Sequence, residues 1–94
     1  MGNRAQDIEE LERLLNEGAS FDELSNQAIK IFDRIGRDDK HMRGVRNPAL
    51  VQGIRDQKKD FQDVVVEIKR RRGDTALDKF HLHERKRKQR FLPP

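Results

Sequence analysis

The spacing of the apolar residues constrains the fold of this chain more than any other feature of its sequence. In the segment 21–35 they recur at alternating steps of three and four, at Phe21, Leu24, Ala28, Ile31 and Ile35. Residues three and four apart lie on one side of an α-helix, so the spacing predicts an amphipathic helix. Ile29 and Phe32 widen its apolar side, and we therefore expect this helix to pack against more than one neighbour.

Local signals predict where this second helix and the one before it begin and end. Ser20 and Glu23 have the spacing of a capping box, and Gly36 is expected to end the second helix. Asn3 is a candidate N-cap for the first helix, which Gly18 is expected to end. The apolar side of the first helix is predicted at Ile8, Leu11, Leu14 and Leu15.

Residues 36–46 show no helical period and are predicted to form a loop. A long third helix follows between Asn47-Pro48 and Gly73, because proline is favoured at the first position of a helix and glycine just after its end. Its apolar positions are Leu50, Ile54, Phe61, Val64 and Ile68. Three consecutive valines leave a β-strand over 63–68 as an alternative. The helix is preferred because the chain offers no second strand to pair with this segment.

The remaining apolar residues indicate a short fourth helix. Asp74-Thr75 is a candidate cap for it, and Leu77 and Phe80 are its main apolar residues. The sequence thus predicts an all-α protein, a small antiparallel bundle of three to four helices with a long third helix and a basic C-terminal tail. Residues 1–73 are predicted to form the bundle domain, and residues 74–94 the short polar helix and the tail.

Few apolar residues are available to build a core. Hydrophobic residues make up 33% of the 94-residue chain and charged residues 40%, so folding is expected to be marginal without a second subunit. The apolar stripe of the third helix is expected to be too long for two shorter helices of the same chain to cover. We therefore predict a homodimer with a coiled-coil seam formed by Leu50, Ile54, Phe61, Val64 and Ile68.

Positive charge is concentrated in the second half of the chain. Residues 1–47 carry eight bases and ten acids, whereas residues 48–94 carry thirteen bases and seven acids. Dense Lys and Arg attract a polyanion through counterion release, without any need to read its sequence. The sequence therefore predicts a nucleic-acid partner, DNA or RNA. Its phosphates are predicted to be contacted by Arg55, Lys58, Lys59, Lys69, Arg70, Arg71, Arg72, Lys79, Arg85, Lys86, Arg87, Lys88 and Arg90.

A protein-interaction module with a solvated basic tail is the alternative. Bases favour the C-terminal end of any helix through its dipole, and a run of four bases is often only solvated surface. Such a module would be an adaptor, chaperone or assembly factor that packs its third helix on a second protein. A steep loss of nucleic-acid affinity with rising salt would separate the two hypotheses.

Residues suited to catalysis are sparse. The chain has no cysteine, and its hydroxyl residues are Ser20, Ser25 and Thr75. His81 and His83 would point about 200° apart on a helix, so they are expected to face solvent or a polyanion rather than share a metal ion. No enzymatic activity, metal or cofactor is predicted. Since no apolar run is long enough to cross a bilayer, a cytoplasmic or nuclear location without membrane contact is predicted.

Overall fold

The computed structural model describes residues 5–42, 44 and 47–89. Every regular element within these residues is an α-helix: α1 (Gln6–Asn16), α2 (Phe21–Met42), α3 (Pro48–Arg72) and α4 (Asp78–Gln89). The predicted all-α fold with a long third helix is confirmed. None of the helices in this part of the chain is long and apolar enough to cross a membrane.

α2 is the central helix of the bundle. It packs against α1, α3 and α4, and α1 also packs against α3. The wide apolar side of α2 explains this position, because Ile29 and Phe32 both pack against the core from its flank. The prediction that this helix contacts more than one neighbour is confirmed.

Contacts with α2 show that consecutive helices run in opposite directions. Asp7, near the start of α1, binds Arg34 in the second half of α2. Gln57, in the first half of α3, binds the same arginine, whereas Arg72 at the end of α3 lies over the ring of Phe21 at the start of α2. α4 then runs alongside α2 in the same direction. The predicted antiparallel bundle is therefore confirmed.

All four helices share one apolar core. Phe80 of α4 joins it through edge-to-face contacts, with its ring centroid 5.8 Å from that of Phe32 in α2 and 5.5 Å from that of Phe61 in α3. Segments on both sides of the boundary predicted at residue 73 thus contribute to the same core. Its buried members are Ile8, Leu11, Leu15, Leu24, Ala28, Ile31, Ile35, Phe61, Val64, Val65, Ile68, Ala76, Leu77 and Phe80.

The turn between α1 and α2 depends on a glycine in the left-handed region. Gly18 has a φ of +74° and follows the last turn of α1, as predicted. Its N–H donates to the carbonyl of Leu15 at 3.2 Å, and the N–H of Ala19 donates to the carbonyl of Leu14 at 3.0 Å. This pair of hydrogen bonds is the Schellman motif, in which a residue with a side chain would be strained at the glycine position.

Side-chain caps begin the two long helices. The Ser20 hydroxyl accepts a hydrogen bond from the N–H of Glu23 at 3.2 Å, and the Asn47 side chain accepts one from the N–H of Ala49 at 3.0 Å. Both predicted starts are confirmed, since each cap satisfies a donor that the first helical turn leaves without a partner. The predicted cap of α1, Asn3, lies outside the described residues.

α2 extends past Gly36 to Met42, so the prediction that it ends at the glycine is wrong, as is the predicted loop over residues 36–42. Glycine inside a helix costs only about 1 kcal/mol relative to alanine, too little to stop a helix that gains other contacts. Here the Arg34 guanidinium bonds the carboxylate of Asp38 at 3.0 Å across the glycine. Asp39 is also paired with a lysine of α3 at 3.4 Å.

α4 begins at Asp78, three residues later than its predicted cap at Thr75. A tight turn precedes it, in which the N–H of Asp78 donates to the Thr75 carbonyl at 3.2 Å. The turn places Ala76 and Leu77 in the core, and the Ser25 hydroxyl donates to the Ala76 carbonyl at 3.4 Å. Burial of these two apolar side chains therefore takes precedence over the cap that the sequence suggested at Asp74-Thr75.

The apolar stripe of α3 is covered by its own chain. The segment 63–68 is helical, so the strand alternative is wrong. The expectation that two shorter helices cannot cover the stripe is not tested, because three helices, α1, α2 and α4, contact α3 and bury its main side chains. Of the predicted dimer seam, only Leu50 is exposed, at 43%, and the buried members are Ile54, Phe61, Val64 and Ile68. Self-association stays a prediction, without support from this seam.

Two glycine substitutions test the ends assigned to α1 and α2. Gly18→Ala should destabilise the protein by about 1–2 kcal/mol because alanine is strained at positive φ, although no neighbouring atom would contact the new methyl group. Gly36→Ala should stabilise it by up to about 1 kcal/mol, since this position also has open space and lies within a helix. Urea unfolding followed by circular dichroism measures both changes. A loss of stability in Gly36→Ala equal to that in Gly18→Ala would contradict the helix through residue 36.

Candidate nucleic-acid interface

The charged residues of α3 are segregated around the helix. Successive residues of an α-helix are rotated by about 100° around its axis. By this measure the first three bases of α3 and Lys69 all fall on one side of the helix, within an arc of about 100°. This basic stripe consists of Arg55, Lys58, Lys59 and Lys69. A neighbouring arc of about 60° contains four acids and no base. This acidic stripe consists of Asp56, Asp60, Asp63 and Glu67. α3 therefore presents surfaces of both signs, which the alternation of charges along its sequence does not make obvious.

Glu67 neutralises two of the four consecutive bases, residues 69–72, at the end of α3. Its carboxylate accepts hydrogen bonds from Arg70 Nε at 2.9 Å and from Arg71 Nε at 2.7 Å. These two bonds lower the pKa of Glu67 to about 2, so the carboxylate stays charged throughout the neutral range. Arg70 and Arg71 are thus occupied by their own helix before any phosphate approaches.

Arg71 and Arg72 also fasten the end of α3 to the turn between α1 and α2. Arg71 Nη1 donates to the side-chain oxygen of Asn16 at 3.0 Å, and Arg72 Nη1 donates to the carbonyl of Ala19 at 2.9 Å. The Arg72 guanidinium lies 5.2 Å from the ring centroid of Phe21, within the range of a cation–π contact. These two arginines, which were predicted to bind phosphate, therefore help to hold the fold together.

Two side chains of α4 contact an acid of α2, and two others contact an acid of α4 itself. His83 Nε2 lies 2.9 Å from the Asp33 carboxylate, and Arg87 Nε lies 3.5 Å from the same oxygen. Lys88 is 3.9 Å from Glu84, and His81 Nδ1 is 3.5 Å from that residue. The prediction that both histidines face solvent or a polyanion is wrong for His83, which joins two helices.

The predicted contact residues differ in whether an acid of the same chain already pairs with them. Lys58 is paired with Asp39 at 3.4 Å, and like Arg70, Arg71, Arg87 and Lys88 it already has an acidic partner. Arg72 is held by the backbone, and Arg90 lies outside the described residues. Within the described part of the chain, the members without an acidic partner are Arg55, Lys59 and Lys69 on α3 and Lys79, Arg85 and Lys86 on α4.

A further set of bases, which the predicted contact residues do not include, lies on the outer side of α2. Lys30, Arg37 and Lys40 are exposed and have no acidic partner among residues 5–42, 44 and 47–89. Their spacing of seven and three, opposite the apolar stripe, was the signal that could have located them.

No protein-family model, curated protein or solved structure matches the chain.

Two arginine substitutions test the distinction between fastening and merely paired bases. Arg72→Ala should destabilise the protein by about 1–2 kcal/mol, because it removes both the hydrogen bond to Ala19 and the contact with Phe21. Arg70→Ala is the matched control, since its exposed pair with Glu67 should contribute nothing measurable. The free energies of unfolding in urea provide the comparison. Equal losses in the two variants would contradict the role assigned to Arg72.

Proposed function

We propose that the protein is a non-enzymatic nucleic-acid-binding protein that contacts phosphates through the unpaired bases of α3 and α4. The observation that carries this proposal is that six of the predicted contact residues have no acidic partner within the described part of the chain. A base already paired with a carboxylate must give up that contact to bind phosphate, whereas an unpaired base releases only solvent and counterions. The six residues are Arg55, Lys59, Lys69, Lys79, Arg85 and Lys86.

The placement of the aromatic rings favours contact with the sugar-phosphate backbone over contact with bases. Phe80 packs against both Phe32 and Phe61 at the core, and Phe21 lies beneath the Arg72 guanidinium. The chain has neither Trp nor Tyr. Stacking on unpaired bases requires aromatic rings on the binding surface, and the described residues offer none there. Binding is therefore expected to be largely independent of sequence.

The acidic stripe beside the basic stripe favours one orientation of α3 on a duplex. A helix inserted into a groove meets phosphates on both walls, and the carboxylates of Asp56, Asp60 and Asp63 would then face one of them. Contact along a single backbone avoids this repulsion. Arg55 and Lys59 are one helical turn apart, about 6 Å, and Lys69 lies about 15 Å further along. Such a row suits the regularly spaced charges of DNA or RNA, and the proposal includes both.

A second candidate function is a protein-interaction module, as an adaptor, chaperone or assembly factor. The exposed side chain of Leu82, at 53%, favours it because this residue lies among the bases of α4, where a partner protein could cover it. Under either function we propose a cytoplasmic or nuclear location. Only the nucleic-acid binder should bind mixed-sequence oligonucleotides with a steep dependence on salt.

A pair of double variants that remove the same charge tests the proposed interface. Arg55→Gln/Lys59→Gln removes two unpaired bases. It should flatten the slope of log affinity against log salt for a mixed-sequence duplex by about 0.9 for each phosphate that is no longer neutralised. Arg70→Gln/Arg71→Gln removes two bases that Glu67 already holds, and it should leave that slope nearly unchanged. Fluorescence anisotropy between roughly 50 and 200 mM salt measures both slopes.

Equal changes of slope in the two double variants would show that ion pairing within the chain does not select the phosphate-binding residues. Absence of binding by the parent protein at the lowest salt would overturn the nucleic-acid proposal and favour the protein-interaction module, because attraction between charges is strongest there. Matching circular dichroism spectra would establish that both variants are folded.

A further inference from the structure

One side of α2 is left uncovered by the other described helices. Arg34 contacts α1 and α3, and Asp33 contacts α4. Around the helix, Lys30 and Arg37 lie between these two positions, on the side opposite the buried residues. Lys40 follows in the last turn, and all three bases are exposed. We call Lys30, Arg37 and Lys40 the α2 row.

The α2 row borders a shallow depression of about 510 Å³ between α1 and α2. Both acids in the depression are already paired, Asp7 with Arg34 and Asp33 with two side chains of α4. Its other two bases, Lys30 and Arg37, are therefore left to a partner. The six residues that line the depression are Asp7, Gln27, Lys30, Asp33, Arg34 and Arg37.

The α2 row is basic over its whole length of about 15 Å. Its members have no acidic partner in the described part of the chain, and the residues outside that part include no Asp or Glu. Asp33 is the acid among them, and α4 holds it. Asp22 and Glu23, in the first turn of α2, lie at least about 10 Å before Lys30 along the axis. The row thus offers a second set of unpaired bases to phosphates.

The α2 row lies away from the basic stripe of α3. Lys58, a member of that stripe, pairs with Asp39 of α2 at 3.4 Å. Asp39 is about 160° around α2 from Arg37, so the stripe adjoins the side of α2 opposite the row. Two packed helices with their side chains span about 20 Å. A single straight duplex bound along the stripe would therefore not reach the row.

We propose that the protein bridges two duplex segments of nucleic acid, one on the interface of α3 and α4 and the other on the α2 row. This inference rests on the proposed function, because it adds a second segment to the first. The two segments would be separated by about 20 Å of protein. That distance exceeds two Debye lengths of about 8 Å at physiological salt, so the repulsion between them is largely screened. With three unpaired bases against six, the α2 row is the weaker site and fills second.

Capture of a second duplex tests the proposal. A mixed-sequence DNA duplex fixed to beads should retain a fluorescent duplex of the same sequence when the full chain is added at low salt. The retained amount should rise and then fall as more protein is added, because excess protein occupies each duplex separately. Rising salt should release the fluorescent duplex before it releases the protein from the beads, since fewer phosphate contacts hold the second segment.

Lys30→Gln/Arg37→Gln should abolish capture of the second duplex. Its affinity for a single duplex, measured by fluorescence anisotropy, should stay close to that of the parent. Arg13→Gln/Arg70→Gln is the matched control, because it removes the same charge from exposed bases that are paired with glutamates of their own helices. This control should capture as much of the fluorescent duplex as the parent does. Circular dichroism on both variants establishes that they are folded.

The outcomes separate this inference from the proposed function. Single-duplex binding by the parent without capture would overturn bridging and leave the proposed function standing. Capture that persists in Lys30→Gln/Arg37→Gln, or that is lost equally in the control, would overturn the role of the α2 row. So would a loss of single-duplex affinity equal to that in Arg55→Gln/Lys59→Gln, since the row would then belong to the first interface. Absence of binding to even one duplex would overturn both proposals.

Discussion

Burial of the wide apolar side of α2 is the interaction on which the rest of the structure depends. α1, α3 and α4 each cover part of it, and the rings of Phe32, Phe61 and Phe80 meet where α2, α3 and α4 come together. A chain with 33% hydrophobic residues has few apolar side chains to spare. Packing three helices around one central helix buries fourteen of them in a single core, which includes the main apolar side chains of α3.

Charged residues add hydrogen bonds between helices to the contacts of this small core. Arg34 is the clearest case, because its guanidinium bonds Asp7 of α1 at 2.5 and 3.0 Å, Asp38 of its own helix at 3.0 Å and Gln57 of α3 at 2.7 Å. These hydrogen bonds raise the pKa of Arg34, with Asp7 as the main cause, and they join three helices. The high charge content thus serves the fold as well as the surface.

The contacts that charged residues make within the chain also decide which bases remain available to a partner. Arg72 holds the α1–α2 turn and Arg87 reaches Asp33, whereas Arg55 and Arg85 have no acidic partner in the described part of the chain. A count of Lys and Arg in the sequence cannot distinguish these four arginines from one another. Their availability is decided by packing, because a base that approaches a carboxylate or a carbonyl of another helix becomes part of the structure. This is why the proposed interface is smaller than the sequence alone suggested.

The starts of the two long helices and the turn between α1 and α2 could be predicted from the sequence, whereas individual contacts between distant residues could not. Ser20, Asn47 and Gly18 act through residues within five positions, so their spacing is sufficient to place them. The late start of α4 depends instead on Leu77 entering a core built by distant helices. The hydrogen bond from Arg72 to Ala19 likewise joins residues 53 positions apart. No local pattern contains either interaction.

Chemical-shift mapping with a mixed-sequence duplex at low salt tests most directly the central claim that unpaired bases form the binding surface. We predict that amide signals along the basic stripe of α3 and the outer side of α4 shift together and saturate with the duplex. Signals of α1 and of the turn at Ala19 should stay in place. Largest shifts at Arg70, Arg71 and Arg72 with no change at Arg55 and Lys59 would contradict this claim.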